Sequence, residues 1–186
     1  MAGTGEAGGK AARLVTVTTR SEPKAWQEGR KLHVYQSDYK GTKEEPSFTG
    51  INEAYFGPGK GLWHSPTIQP EDIILVQAGL YKSERLKYYE PLGLHFHGAY
   101  QLSKCGTLDK PIVIRAAGDG EAVFDGDGVY CLFDVMFGDY THIEGLTIKK
   151  NCEVAIYAGL RYTHGCSGFV VRNCRFENVG CALNAQ

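Results

Sequence analysis

Three cationic and two acidic side chains are the main candidates in this sequence for catalysis or ligand binding. The cations are Lys149, Arg172 and Arg175. A guanidinium group binds a carboxylate through two parallel hydrogen bonds, so the two arginines are candidates for holding an acidic ligand. The acids are Asp125 and Asp127, within the segment Phe-Asp-Gly-Asp-Gly. Carboxylate oxygens are the ligands that calcium prefers, so this pair is a candidate calcium site.

Each of these groups also has a purely structural interpretation. Cations on an exposed strand face commonly form surface ion pairs, which add little to stability. Asp-Gly is an ordinary turn sequence. The chain has Met136 instead of Glu at the twelfth position of an EF-hand loop counted from Asp125. A second metal hypothesis rests on His95 and His97, which share one face of a predicted strand but show no third ligand by spacing.

Composition and charge narrow the class of protein. The 186 residues suffice for one domain with a hydrophobic core. With 20 basic and 21 acidic residues the net charge is -1, which argues against a nucleic-acid-binding protein. No apolar run approaches the ~18 residues of a membrane span. The six cysteines form no Cys-x-x-Cys pair, which favours buried free thiols over a zinc site, while disulfides stay open for a secreted protein.

The chain divides into three stretches. Residues 1–20 are predicted to be poorly ordered, with one candidate strand at residues 14–19. Residues 21–104 are predicted to form an irregular N-terminal region and a cap, with no regular element over residues 20–66. Residues 105–186 contain apolar runs of strand length that end at glycine turns, and no helical apolar period persists there. This last stretch predicts an all-β structure, and the 24 glycines agree with many turns.

An internal repeat indicates which kind of all-β fold this is. Residues 143–149 align with residues 171–177 at an offset of 28, and residues 151–158 align with residues 178–185 at an offset of 27. One coil per ~27 residues, with several strand-like segments in it, is typical of a solenoid. Strands stacked ~4.8 Å apart then place equivalent residues above one another. The residues predicted to point inward are Ile143, Leu146, Ile148, Val171, Cys174 and Phe176.

The same register predicts the outer face of the coils. The outward residues are Glu144, Thr147 and Lys149, stacked on Arg172, Arg175 and Glu177. The stack of Glu144 on Arg172 joins opposite charges, which is mildly stabilising between neighbouring strands. The stack of Lys149 on Glu177 does the same. The two asparagines that begin the second pair of aligned segments are predicted to form an amide ladder at a turn.

Three segments, residues 106–128, 142–159 and 168–180, carry a resemblance to a known family. They resemble the right-handed parallel β-helix repeat family, a superfamily that includes pectate lyases and the chondroitinase- and alginate-lyase type of polysaccharide lyase. Residues 67–81 are similar to the segment that opens such domains, with Glu71 where the family usually has glycine. The resemblance covers residues 66–186 and is more specific for fold than for chemistry.

The resemblance implies a fold, an activity and a partner. The fold is a right-handed parallel β-helix, here an N-terminal portion with an irregular cap. The activity is cleavage of a uronate-containing polysaccharide by β-elimination, with calcium or arginine neutralising the substrate carboxylate and lysine or arginine as the base. Arg172, Arg175 and Lys149 are then the catalytic candidates, and Asp125 and Asp127 the calcium candidates. The resemblance also implies a secreted or periplasmic location.

Two other functions stay open at this point. A non-catalytic β-helix that binds glycans, or serves as a surface or adhesion module, fits a sequence with no legible catalytic cluster. A glycoside hydrolase of the same fold needs two carboxylates ~5–9.5 Å apart. Asp125 with Asp134 or Glu144 is the candidate pair for that reaction.

Overall fold

The computed structural model describes residues 15–18, 29–60, 65–82, 98–135, 137–150, 153–159 and 165–185. Within these residues the chain forms one short helix, α1 (Ile51–Phe56), and fourteen strands. The first seven strands are β1 (Val15–Thr18), β2 (Lys31–Tyr35), β3 (Ser47–Thr49), β4 (Ile73–Val76), β5 (Gly79–Lys82), β6 (Gly98–Gln101) and β7 (Ile112–Ala116). The others are β8 (Ala122–Asp125), β9 (Cys131–Val135), β10 (Thr141–Glu144), β11 (Thr147–Lys149), β12 (Val154–Ala158), β13 (Val170–Glu177) and β14 (Cys181–Ala185). The all-β prediction is confirmed.

The strands form two sheets of mainly parallel pairs. Ten strands form one sheet in the order β3, β2, β4, β7, β10, β13, β11, β8, β5, with β1 added antiparallel to β13. Four strands form the other sheet in the order β14, β12, β9, β6. Parallel strands need long connections, because the chain must return to the same end of the sheet before the next strand begins. This arrangement is compatible with the predicted β-helix.

Strand β13 divides the ten-stranded sheet into two arms. Residues 170–172 pair with β10 in the first arm, which continues through β7, β4, β2 and β3. Residues 175–177 pair with β11 in the second arm, which continues through β8 and β5. Between the arms, Asn173 has a φ of 55°, and Gly145, in the turn between β10 and β11, has a φ of 69°. Glycine and asparagine adopt this left-handed backbone at the lowest cost, so they suit the bend between the arms.

The predicted register is confirmed. Ile143 pairs with Val171 and Ile148 with Phe176, both at the offset of 28. Strands β12 and β14 pair at the offset of 27. Other neighbouring strands lie at different offsets, such as Thr141 opposite Ile112. The strands stay in register while the loops between them vary in length.

The core lies between the sheets and holds the residues predicted to point inward. Five of those six residues are buried, and Phe176 packs partly buried against the same core. At its centre the ring of Phe124 lies 4.9 Å from that of Tyr81, 5.6 Å from that of Tyr100 and 5.6 Å from that of Phe133. Phe124 therefore joins the second arm to the four-stranded sheet.

Two residues of the predicted outer face are buried. Glu144 alternates with Ile143 and so lies on the opposite face of β10, but an ion pair with Arg172 covers it. Thr147 donates a hydrogen bond to Oε1 of Glu121 at 2.7 Å and is buried as well. Contacts with Arg172 and Glu121 therefore accompany the burial of these two outward residues.

The N-terminal region contains more regular structure than the sequence predicts. Residues 20–66 were expected to lack regular elements, but β2, β3 and α1 lie within them. Strand β2 pairs in parallel with both β3 and β4. These elements are short, and their strands are stabilised by partners far along the chain, so local patterns do not reveal them. The candidate strand near the N-terminus is confirmed as β1.

Candidate functional site

Arg172 is tied to a buried carboxylate. Its Nη2 atom lies 2.8 Å from Oε1 of Glu144, and Arg115 occupies the equivalent position on the other side of Glu144. Burial alone would raise the pKa of Glu144, but His142 and the charge of Arg172 outweigh burial and hold that pKa below its usual value. Because Nδ1 of His142 is 3.7 Å from the carboxylate, longer than a normal hydrogen bond, we assign the lowering mainly to the arginines.

We expect the Glu144→Gln variant to lose the part of its free energy of unfolding that is present near neutral pH and disappears in acid. A carboxyl group with a lowered pKa in the folded state stabilises the fold above the pH where the unfolded chain titrates, and that stability is lost as the pH falls through the folded pKa. Urea unfolding at pH 7 should show a loss of about 1–3 kcal/mol, because Arg172 and Arg115 lose their buried counter-charge. The pH dependence of unfolding below neutrality should also flatten.

The matched control for this prediction is Glu153→Gln, which changes an exposed acid. It should leave both the free energy of unfolding and its pH dependence unchanged. Equal effects of the two substitutions would show that Glu144 is not specially stabilised.

Arg175 and Lys149 belong to a charged surface on the second arm. Arg175 forms ion pairs through Nη2 with Glu177 and through Nη1 with Glu121. Lys149 lies in register between Asp125 on β8 and Glu177 on β13. Cations alternate with acids along this surface. This is the structural interpretation that the sequence offered for these residues, and it does not test their catalytic role.

Both carboxylate oxygens of Asp125 already have partners. Oδ2 accepts a hydrogen bond from Nζ of Lys150 at 2.9 Å, and Oδ1 accepts one from the backbone N–H of Asp127 at 3.0 Å. Burial alone would raise the pKa of Asp125, but the bond from Lys150 outweighs it and holds the pKa below its usual value. As placed here, Asp125 and Asp127 do not fit a calcium ion unless the ammonium moves away. Among the described residues no group of three or more His, Cys, Asp or Glu side chains is arranged to hold a metal.

His95 and His97, the second metal hypothesis, lie outside the described residues. The same holds for Asn151, one half of the predicted amide ladder.

A different set of polar residues is aligned on the four-stranded sheet. Tyr100 on β6 and Phe133 on β9 point into the core, so the residues that follow them lie on the opposite face. Four such residues, one on each strand, are in register across the sheet. We call this set the outer row, and it consists of Gln101, Asp134, Tyr157 and Asn184.

Asp134 is the one carboxylic acid of the outer row. Burial raises the pKa of its carboxyl group to about 6. No hydrogen bond or ion pair to this carboxylate occurs within the described part of the chain. A carboxyl group that titrates this close to neutrality can both take and give a proton under ordinary conditions.

The neighbour of Asp134 in the outer row is Tyr157. Its hydroxyl group is buried and has no hydrogen-bond partner among the described residues. The two side chains are on adjacent parallel strands, ~4.8 Å apart. A buried hydroxyl without a partner is costly, and here it stands beside a half-buried carboxyl. Perturbed polar groups of this kind are typical of functional sites.

The sequence identified Asp134 only as half of a hydrolase pair. The structure places it on the four-stranded sheet, while Asp125 and Glu144 lie on different arms of the ten-stranded sheet. Asp125 and Glu144 are each paired with a cation, whereas Asp134 has no such pair within the part of the chain that the structure describes. One sequence signal pointed to Asp134, namely a single acid between the two core residues Phe133 and Val135.

Comparison with known proteins does not assign a function, so the functional argument depends on the site itself. No protein-family model, no curated protein and no solved structure matches this chain. Among the described residues, no helix has the length and apolar character needed to cross a membrane.

Proposed function

We propose that this chain is a right-handed parallel β-helix of the pectate lyase-like superfamily and cleaves uronate-containing polysaccharide by β-elimination. The observation that carries the proposal is the outer row, in which a half-buried carboxyl of raised pKa stands beside a buried hydroxyl that has no hydrogen-bond partner among the described residues. Polar groups placed at ~4.8 Å intervals along stacked strands suit a linear polymer, because successive groups contact successive parts of one chain.

The order of the strands supports the β-helix. Strands β7, β8 and β9 follow one another and enter the first arm, the second arm and the four-stranded sheet in turn. Strands β10, β11 and β12 repeat this path, and β13 and β14 repeat it again. Each passage places one more strand beside its equivalent, which is how a coil of a solenoid is built.

The elimination needs a base, an acid and a group that binds the substrate carboxylate. As the base, the Asp134 carboxylate takes the proton α to the substrate carboxylate. The released electron pair forms the new C=C bond, and the glycosidic oxygen on the β carbon leaves with the hydroxyl proton of Tyr157. Asp134 then returns its proton to Tyr157, which restores both groups. The Asn184 amide, exposed at the end of the row, donates a hydrogen bond to the substrate carboxylate.

The test is an assay on alginate, pectate and chondroitin, with and without calcium. Elimination leaves an unsaturated uronate, so ultraviolet absorbance should rise with time, and faster above pH 6 than below because the base must be ionised. Arg175→Ala and Lys149→Ala are expected to retain activity. Loss of activity in either variant would instead support the catalytic role that the sequence predicted for these two residues. No absorbance rise on any polymer would refute the lyase. New reducing ends without absorbance would point instead to hydrolysis.

A second candidate is a non-catalytic glycan-binding module. It is favoured by the ion pairs of Arg172 and Arg175, the predicted catalytic cations, with Glu144 and Glu177. Binding of polymer without any turnover, and without a change in the Asp134→Asn variant, would support this candidate.

A further inference from the structure

A pocket of about 550 Å³ lies at the end of the strand stack, away from the outer row. Its volume falls in the range of small-molecule sites. It is formed where β5 and β6 are the last strands of their sheets and where the chain leaves β2 and β3. Tyr100 lines it, while the next residue, Gln101, lies on the opposite face of β6 in the outer row. The two sites are therefore separate.

The floor of the pocket is aromatic. The ring of Tyr81 stacks on Phe124, and its hydroxyl lies within hydrogen-bond distance of the carbonyl oxygens of Val34 and Gln77, at 2.9 and 2.8 Å. The hydroxyl of Tyr35 accepts a hydrogen bond from the backbone N–H of Glu44 at 2.8 Å. These hydroxyls therefore already have hydrogen-bond partners within the protein.

One acceptor in the lining of the pocket lacks a donor. Oε1 of Gln36 is buried and has no hydrogen-bond partner among the described residues, while Nε2 of the same amide donates to Ala78 O at 3.3 Å. The amide lies against Gly79, where an added Cβ would come within 2.0 Å of Nε2. Glycine at position 79 therefore leaves free the space that the Gln36 amide occupies. A buried acceptor without a donor is costly, and a ligand hydroxyl would remove that cost.

The rim of the pocket combines opposite charges with short polar and apolar groups. Asp38 and Lys82 are exposed there, as are Ser37 and Leu80, the latter at 47%. One carboxylate and one ammonium together carry no net charge. They suit a neutral ligand that has both donors and acceptors.

We propose that this pocket binds a neutral, hydroxyl-rich pyranose unit. One sugar hydroxyl donates to Oε1 of Gln36, other hydroxyls bond to Asp38 and Lys82, and the apolar face of the ring packs on Leu80. The proposal does not rest on the lyase function, because the pocket shares no residue with the outer row. It gives the protein a second carbohydrate site that anchors a polymer without cleaving it.

The experiment is a titration of the full chain with cellotriose, a neutral probe, followed by ligand-observed NMR and calorimetry. We expect binding in the range of about 1 mM. Gln36→Met keeps the volume of the side chain but removes the acceptor, and should weaken binding about fivefold. Lys82→Ala on the exposed rim should weaken it as well, without touching the core. Thermal unfolding of each variant checks the fold.

Two controls locate the ligand. Lys60→Ala changes an exposed lysine outside the pocket, and Asp134→Asn changes the outer row, so both variants should bind cellotriose as tightly as wild type. The proposal is overturned if wild type does not bind cellotriose, if neither Gln36→Met nor Lys82→Ala weakens binding, or if Asp134→Asn abolishes it. Trigalacturonate, titrated in parallel, tests binding at the outer row. A failure of the lyase proposal would therefore leave the cellotriose result, which tests the pocket, unaffected.

Discussion

Replacing Asp134 with asparagine is expected to abolish polysaccharide cleavage and, at the same time, to stabilise the fold at neutral pH. Asparagine has nearly the shape of the acid but cannot take a proton, so we expect the rate of elimination to fall about 100- to 10,000-fold. Ionising a carboxyl group whose pKa is raised from 3.8 to about 6 costs the folded state about 3 kcal/mol at pH 7. The asparagine variant avoids that cost, so part of it should appear as added stability.

The sign of the pH effect follows from the raised pKa. Between pH 3.8 and about 6 the folded chain holds a proton on Asp134 that the unfolded chain has released. The stability contributed by this group is therefore complete below the unfolded pKa and is lost as the pH rises through the folded one. Urea unfolding at several pH values should show this fall in wild type and not in Asp134→Asn.

The control is Asp109→Asn, which alters an exposed acid in a turn and should change neither activity nor stability. A variant of Asp134 that loses both stability and activity would indicate a structural role. One that keeps its activity would remove Asp134 from the reaction.

Replacing Phe124 with alanine is expected to cause the largest loss of stability among single core substitutions near the aromatic cluster. Phe124 is fully buried and contacts the rings of Tyr81, Tyr100 and Phe133, which belong to two different sheets. Truncating a buried phenylalanine costs about 3–5 kcal/mol through lost burial and the cavity left behind. Domains are stable by only about 5–15 kcal/mol, so this loss is a large share of the total free energy of unfolding.

The comparison variant is Phe137→Ala, since Phe137 is 37% exposed. Its free energy of unfolding should stay within about 0.5 kcal/mol of wild type. Urea titrations followed by circular dichroism measure both variants. A loss below about 1 kcal/mol for Phe124→Ala would mean that the two sheets do not depend on this contact.

Local patterns determined the strands of residues 105–186 and their register, although they missed β2 and β3. Apolar residues at every second position, interrupted by glycine turns, were enough to place Ile143 over Val171 and Ile148 over Phe176, and the structure confirms both pairs. This works because side chains alternate between the two faces of a strand, so a shift of one residue would move every core residue to the wrong face.

Contacts between distant residues decided the rest. The sequence shows Glu144 as an outward acid, and only the packing of Arg172 and Arg115 around it makes it a buried one. It likewise shows Asp134 as one acid among many. The raised pKa of Asp134 comes from burial, and burial depends on everything that surrounds the side chain in space. Alternation along a strand is a local property that the order of residues specifies, so the sequence alone determined the parallel β framework. The solvation of a charge is set by the whole fold, so only the tertiary structure singled out the outer row.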